Sequence, residues 1–546
     1  MTTLRNVLLT CLIAALAHGA QAQTVSDAQR QACEGLVLET DLTLTQARIH
    51  TSRNGSAYCY VRGIIAPAIH YHVQLPLPDD WNGRFLMWGD GGKDGDLDFA
   101  DQRLEQGYAV ANSNTGHDTG TEPGSTFGHH NRQSEVDFGH RAVHLTTLAG
   151  KTLVSHYYGR NQQYAYFEGC STGGRQGLME AQRYPYDFDG IVAGAPVNFY
   201  QAMNAAGVWH LQRLFKVGFA GNLAVDANRD GSPESLRLVE LLNQKVLGKC
   251  DATDGISDGV IDNPFSCAID VANDLGDLRC PAGQAGDGCF TDAQLQTVAD
   301  FYRGPHDNQG NRIYPGKLPG SEPDWNNLFI PHAGNSMNPS MLRGPAGDHV
   351  NFLFYEDDPG VAIPNLADVE HRARTTGMNP EFHWLEFDVN DVSAGKAALM
   401  SEIMDATDPD LSAFLKDNGG KLIIYHGLTD ALSVATATVG YFQDVVDSTF
   451  AGSLADTTDH ARLFLAPGMG HCGGGAGPND WDKLSSLVDW VENGVAPDAI
   501  VATRRSNGAV VNERPLCPWP QQARYIGPAG GANDPANWRA GNFRCE

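Results

Sequence analysis

The pentapeptide Gly169-Cys170-Ser171-Thr172-Gly173 constrains this chain more than any other stretch, because it joins a strand-like run, Tyr164–Phe167, to a helix-like one from about Gly174 to Arg183. Glycines on both sides of the serine permit a tight strand-to-helix turn, which leaves the Ser171 hydroxyl exposed at its tip. The start of the following helix adds unpaired backbone N–H groups and the positive end of the helix dipole. A hydroxyl so placed becomes a nucleophile only if a base takes its proton, so the rest of the chain must supply one.

In the α/β-hydrolase order, nucleophile, carboxylate and histidine follow one another along the chain. His471 fits as the base. It follows the strand-like Arg462–Leu465 and the loop Ala466-Pro467-Gly468-Met469-Gly470, which puts it at a strand's C-terminal end, where the sites of open α/β sheets gather. Asp430 stands between the two, past the strand-like Lys421–Tyr425 and the turn His426-Gly427-Leu428-Thr429. A carboxylate there fixes the imidazole tautomer and offsets the imidazolium formed during acyl transfer. The Thr172 N–H is one oxyanion donor, and a second must come from a glycine-rich loop after an earlier strand. Gly89-Asp90-Gly91-Gly92, after Phe85–Trp88, meets that need, with Gly91 and Gly92 both candidates. His117, His129, His130, His140 and His144 precede the nucleophile and lack metal-ligand spacing, so they read as surface or hydrogen-bonded core residues.

Short β-rich runs at Arg84–Trp88, Tyr108–Ala111, Tyr164–Phe167, Ile191–Ala193, Lys421–Tyr425 and Arg462–Leu465 each end in glycine, proline or polar turn residues. Helical patterns lie between several of them, such as the apolar face of Leu484, Leu487, Val488 and Val491. Such alternation predicts the α/β class, with a mainly parallel sheet covered by helices on both faces. At 546 residues the chain is too long for one compact core. Residues 198–418 are rich in Asp, Asn, Gly and Pro, hold four cysteines and show few periodic runs. The expected architecture is therefore an α/β-hydrolase fold built from 23–197 and 419–546, with 198–418 inserted as a lid domain.

Arg5, the apolar run from Val7 to Ala17 and Ala20-Gln21-Ala22 have the form of a signal peptide spanning residues 1–22. The run is short for a bilayer, and no later stretch of about 18 apolar residues would anchor the chain. A secreted or periplasmic protein without a membrane partner is expected. Of eleven cysteines Cys11 leaves with the signal, and an oxidising compartment lets the other ten pair. Spacing favours Cys33 with Cys59, Cys250 with Cys267, Cys280 with Cys289 and Cys517 with Cys545, without proving connectivity. That leaves Cys170 and Cys472, and a bridge between them would hold nucleophile and base side by side. The net charge of −27 is spread along the chain without a basic stripe, which argues against nucleic acid as a partner.

Gly169-Cys170-Ser171-Thr172-Gly173-Gly174-Arg175, Tyr425-His426-Gly427 with Asp430, and Pro467-Gly468-Met469-Gly470-His471-Cys472 resemble the signature blocks of the tannase and feruloyl esterase family. The resemblance extends over nearly the whole mature chain, and its hallmark is a bridge between the cysteines beside the catalytic serine and histidine, here Cys170 and Cys472. It implies a secreted serine carboxylic ester hydrolase acting on esters of aromatic acids, with no organic cofactor. The family includes hydrolases of terephthalate monoesters, which stand as an alternative. Cys250-Asp251-Ala252-Thr253-Asp254-Gly255-Ile256-Ser257-Asp258-Gly259-Val260-Ile261-Asp262 is similar to the family's lid calcium loop. The resemblance implies Asp251, Asp254 and Asp258 as carboxylate ligands of one structural Ca²⁺, and Ile256 and Val260 as carbonyl ligands, a donor set that suits a hard cation. A second acidic stretch, Asp226 to Gly231, begins like an EF-hand loop but has Arg237 where the bidentate glutamate should stand, so it reads as solvated loop.

Trp325, Phe329, Phe352, Phe354, Tyr355, Phe382 and Trp384 offer either an aromatic slot or ordinary lid core. Arg343, Arg372 and Arg374 offer a cation for a substrate carboxylate, or a plain surface. Two readings from other classes are a serine peptidase or acyltransferase on the same scaffold, and a non-catalytic calcium-dependent binding protein.

Overall fold

All six runs singled out above are strands, and they lie side by side in one sheet. The computed structural model describes residues 25–335, 340–341, 349–355 and 387–546. The expected signal peptide and Arg343, Arg372, Arg374, Phe382 and Trp384 fall outside the described residues. The sheet strands are β1 (Leu44–Thr51), β2 (Ala57–Ile65), β3 (Ile69–Pro76), β4 (Arg84–Trp88), β5 (Ala109–Ser113), β6 (Tyr164–Cys170), β7 (Gly190–Gly194), β8 (Lys421–Gly427) and β9 (Ala461–Ala466). Their spatial order is β1-β2-β3-β5-β4-β6-β7-β8-β9. From β5 to β9 every pair is parallel, whereas β1, β2, β3 and β5 pair antiparallel. The sheet is thus mixed, with an antiparallel N-terminal wing that the sequence reading lacks.

Side chains alternate across the strands, so each strand feeds two cores. Phe85, Phe167, Ile191, Leu422 and Ile424 point to one face. There they meet three helices, α2 (Ala142–Tyr158), α3 (Thr172–Arg183) and one further on, Ala435–Phe450. A short helix before the sheet, α1 (Asp27–Glu39), is tied to β2 by Cys33–Cys59. Leu86, Tyr166, Val192, Ile423 and Phe464 fill the other face against the helix Ser485–Asn493, whose Leu487 and Trp490 are buried. Each fully buried side chain of this size contributes about 1.5–3 kcal/mol, so the two layers anchor the sheet between them.

Between β7 and β8 the chain leaves the sheet and builds α4 (Tyr200–Phe219), α5 (Arg237–Cys250), α6 (Asp292–Arg303) and α7 (Gly395–Met404). These helices enclose a further core around Val208, Leu211, Leu242, Val298, Phe301, Trp325 and Phe329. The insertion is therefore more helical than its composition suggests. After β9, a hairpin of β10 (Ile500–Ser506) and β11 (Ala509–Leu516) and a small ribbon of β12 (Ala523–Tyr525) and β13 (Phe543–Cys545) close the chain. All five expected disulfides form: Cys33–Cys59, Cys170–Cys472, Cys250–Cys267, Cys280–Cys289 and Cys517–Cys545. This is the α/β-hydrolase architecture, and its parallel strands deliver the loops after β4, β6, β8 and β9 to one edge.

Candidate active site

Ser171 sits between β6 and α3 with φ 64° and ψ −122°, a backbone conformation that L-residues rarely adopt. The strain is held by packing that only glycine permits. A Cβ on Gly169 would come within 2.9 Å of the Gly173 backbone, and one on Gly173 within 2.9 Å of Gly89 and Asp90. The Ser171 N–H donates to the Gly194 carbonyl of β7 at 2.9 Å, which fixes the turn to the neighbouring strand.

The loops after β8 and β9 complete a line of hydrogen bonds. His471 Nε2 lies 2.8 Å from Ser171 Oγ, and His471 Nδ1 lies 2.6 Å from Asp430 Oδ2. Asp430 is buried, and its Oδ1 accepts from the Leu432 N–H at 2.8 Å and the Ser433 N–H at 3.0 Å. The His426 ring, itself buried, approaches Asp430 Oδ2 at 3.2 Å while Nε2 bonds the Ser433 carbonyl at 2.6 Å. Burial pushes the Asp430 carboxyl up, but the charges and bonds of His471 and His426 outweigh it and hold the group well below the usual carboxylate range. Burial likewise pulls His471 down, and the Asp430 charge and bond, with Asp324 behind, leave it above the usual histidine range. The Cys170–Cys472 bridge ties the residue before Ser171 to the residue after His471, with its Cα atoms 6.0 Å apart. Cys472 also has a positive φ, 61°, so both strained residues adjoin one covalent link.

The glycine-rich loop after β4 is clamped from α3. Thr172 Oγ1 donates to the Gly92 carbonyl at 2.6 Å, and Gln176 accepts from the Asp90 N–H at 3.2 Å and donates to Asp94 at 2.7 Å. The Gly91 N–H is taken by Asp90 Oδ1 at 2.7 Å. Among the described residues the N–H groups of Thr172 and Gly92 have no acceptor. Gln176 was not singled out in the sequence, since a glutamine in a helix carries no signal of what it will clamp.

Two further groups reach the triad from the insertion. The Lys317 ammonium, 3% exposed, donates to the Ala431 carbonyl beside Asp430 and lies 4.4 Å from the Phe329 ring centre. Burial lowers it to about 7, with the nearby Asp430 charge opposing. Asp324 lies against the residue before His471, where a Cβ on Gly470 would stand 2.8 Å from its carboxylate. Burial, with repulsion from Asp430, raises Asp324 to about 6. Trp325 and Phe329, by contrast, are fully buried in the insertion's core, and Phe354 stacks on Phe387 there. These three serve as packing, not as walls of an open slot.

The acidic loop after α5 holds its aspartates through short-range hydrogen bonds to its own backbone, and two further residues join them. Asp251 accepts from the N–H groups of Asp258 at 3.2 Å and Gly259 at 3.1 Å; Asp254 and Asp258 each cap the backbone two residues on. Asp262 joins them, and the buried Arg514 from β11 pairs with Asp258 at 2.6 Å and with Asp262. Asp254 Oδ2 is buried with no hydrogen-bond donor, and no donor among the described residues reaches the Ile256 or Val260 carbonyl. Burial and mutual repulsion raise Asp251, Asp254 and Asp262, the last to about 8. Arg514 also lies 3.8 Å from Asp254 Oδ2, and one guanidinium against four carboxylates leaves a negative excess of the kind a hard divalent cation offsets. The loop touches the triad's support: Val260 packs on Gly468, within 2.9 Å of where a Cβ would stand.

Comparison with known proteins places these features in context. The family model for tannase and feruloyl esterase matches residues 55–538. The mono(2-hydroxyethyl) terephthalate hydrolase of Piscinibacter sakaiensis is 32% identical over 530 residues, covering 88% of this chain and 84% of that protein. Feruloyl esterase B of Aspergillus niger is 31% identical over 499 residues, covering 86% and 83%. The crystal structure of an esterase from Aspergillus oryzae superposes with a TM-score of 0.78 at 26% identity, covering 95% of this chain and all of that one.

Proposed function

The chain belongs to the tannase and feruloyl esterase family of carboxylic ester hydrolases, and from that membership we propose that it is an exported serine esterase that cleaves esters of aromatic acids through an acyl-enzyme on Ser171. The observation that carries the mechanism is the unbroken line Ser171 Oγ, His471, Asp430. Ser171 Oγ attacks the ester carbonyl while His471 Nε2 takes its proton, and Asp430 keeps the Nδ1 proton in place. The carbonyl oxygen becomes an oxyanion that rests on the N–H groups of Thr172 and Gly92, Gly91 being engaged by Asp90. His471 then gives its proton to the departing alkoxide, which leaves as the alcohol. Water repeats the cycle on the acyl-enzyme and releases the acid.

Support for an aromatic acyl group comes from the relatives, one named for a terephthalate ester and one for feruloyl esters. Support for export comes from the five disulfides, which persist in oxidising compartments. Among the described residues no helix is long and apolar enough to cross a membrane. The insertion acts as the lid, and Lys317 and Asp324 couple it to the triad. The deciding experiment is steady-state hydrolysis of methyl ferulate, methyl gallate, a terephthalate monoester and a short aliphatic p-nitrophenyl ester. Preference for an aromatic ester, by about tenfold or more in kcat/KM, is the expected outcome; a preference for the aliphatic ester sinks the substrate assignment and leaves the triad standing. The terephthalate monoester reading, favoured by the 32% relative, predicts that the monoester leads the panel.

Asp324 gives this mechanism a pH signature. His471 must be neutral to act as base, and a negative Asp324 favours its protonated form. Removing that charge in Asp324→Asn lowers the histidine's pKa, so the acid limb of kcat/KM should move to lower pH while the plateau near neutrality is nearly unchanged. An acid limb that stays in place or moves upward counts against the coupling.

We further propose that Asp251, Asp254, Asp258 and the carbonyls of Ile256 and Val260 hold a structural Ca²⁺. When bound, the ion supplies only charge and rigidity, and no chemical step. Val260 conveys that rigidity to Gly468 and so to the His471 loop. Chelation with EGTA should lower the thermal midpoint by roughly 5 °C or more, restored by added Ca²⁺. A midpoint indifferent to both additions would dismiss the ion.

A further inference from the structure

Beneath the nucleophile helix lies a second group of ligand-type side chains that the triad does not use. His144 projects from α2, Glu180 from α3, and Asp187 from the turn that leads into β7. One ligand atom from each lies within 4.8 Å of the others, and His144 Nδ1 is 2.6 Å from Asp187 Oδ2. His144 stands 43 residues before Asp187, which is why the spacing of the histidines gave no sign of the group.

Glu180 makes this more than an acidic patch. It is 1% exposed, and neither of its carboxylate oxygens meets a hydrogen-bond donor. The nearby Lys151 ammonium favours the carboxylate by its charge but gives its hydrogen bond to the main-chain carbonyl of Asp187. A buried carboxylate without a partner is costly, and the group then takes up either a proton or a cation. Burial and the adjacent Asp187 do hold the Glu180 carboxyl well above its ordinary range. The third member decides between the two. An imidazole nitrogen beside two carboxylates makes an N,O,O set on two helices and a turn. His144 is pressed flat against Tyr184, ring centres 3.8 Å apart and planes 4° apart, which fixes the ring's orientation. Its side chain is 23% exposed, so the site reaches solvent on the histidine side.

We propose that His144, Glu180 and Asp187 bind one structural divalent transition-metal ion of the Zn²⁺ type, with water as the fourth ligand. Three protein ligands of imidazole and carboxylate suit four-coordinate Zn²⁺. Ca²⁺, which takes six to eight oxygens, is poorly served here, so the site is distinct in chemistry from the acidic loop of the insertion. Two carboxylates neutralise the ion's charge. Bound there, the ion joins α2 to α3 and to the turn before β7, and α3 begins at Ser171.

The test uses the full mature protein in saturating Ca²⁺, stripped with a transition-metal chelator and dialysed against micromolar ZnCl₂. Bound zinc, measured by atomic emission, should approach one per chain in the wild type and fall to near zero in Glu180→Gln and in His144→Asn. Zinc should raise the thermal midpoint of the wild type and of neither variant. Should Glu180→Gln fail to fold, His144→Asn, altered at the more exposed ligand, decides alone. A wild type that retains no more zinc than the variants overturns the proposal. So does a Glu180→Gln protein that is zinc-free like the wild type and more stable than it, because Glu180 and Asp187 then share a proton instead.

Discussion

Ser171→Ala should reduce turnover of any ester substrate by about 10⁶-fold, to the background of the purified protein, and leave the thermal midpoint unchanged. The size follows from what the variant lacks. His471, Asp430 and the two oxyanion N–H groups all remain, but no atom is left to form the acyl-enzyme, and only binding and polarisation of the carbonyl survive. Stability should hold because the serine's strained backbone is fixed by the Ser171 N–H to Gly194 bond and by the glycine contacts around it, none of which involves the side chain. Among the described residues Oγ bonds only to His471, whose side chain is partly exposed. A variant keeping more than about 1% of wild-type kcat/KM, after exclusion of contaminating esterase, would place the nucleophile elsewhere. Loss of activity together with a lowered midpoint would mean that the turn had collapsed, and Ser171→Cys would then separate chemistry from folding.

The triad and the central strands were legible because their signals are local. A strand ending in a tight glycine turn, with serine at its tip, states both the geometry and the candidate nucleophile within a few residues. The antiparallel wing carries no such mark. β2 and β3 are covered on both faces, so the period-two alternation that betrays a half-buried strand is absent. In β3, His72 and Gln74 are fully buried, and their partners, the Asp98 carbonyl and the Asp101 carboxylate, lie over twenty residues on. The insertion's helices hide for a related reason. α4 buries His210, Gln212 and Asn204 beside its apolar residues, which erases the amphipathic stripe that identifies a surface helix. Lys317, Asp324 and Arg514 carry no signal in the sequence. Each acquires its role only when a distant segment folds onto it, as Arg514 does on Asp258 and Asp262.

Asp430→Asn should cost about 10⁴-fold in kcat with the fold intact, and the local bonds say why so small a change has so large an effect. Asp430 Oδ1 accepts two backbone N–H groups, from Leu432 and Ser433. An asparagine must keep its carbonyl oxygen there, because an NH₂ group facing two N–H donors would be left unpaired and repelled. Its NH₂ then faces His471 Nδ1 and donates to it. That forces the imidazole proton onto Nε2, where it points at Ser171 Oγ, and a nitrogen already carrying a proton cannot take the serine's. The wrong tautomer is thus imposed by two main-chain donors that the substitution leaves untouched. Asp430→Ala is the informative control. It removes the charge but imposes no tautomer, so it should be impaired no more than Asp430→Asn. The rival orienter is Asp324, the other carboxylate near His471. If Asp324 held that role, Asp430→Asn would retain more than about a tenth of wild-type kcat and Asp324→Asn would show the 10⁴-fold loss. With Asp430 as orienter, the pattern is reversed: Asp324→Asn changes only the acid limb, since its carboxylate lies against Gly470 and makes no hydrogen bond to the ring.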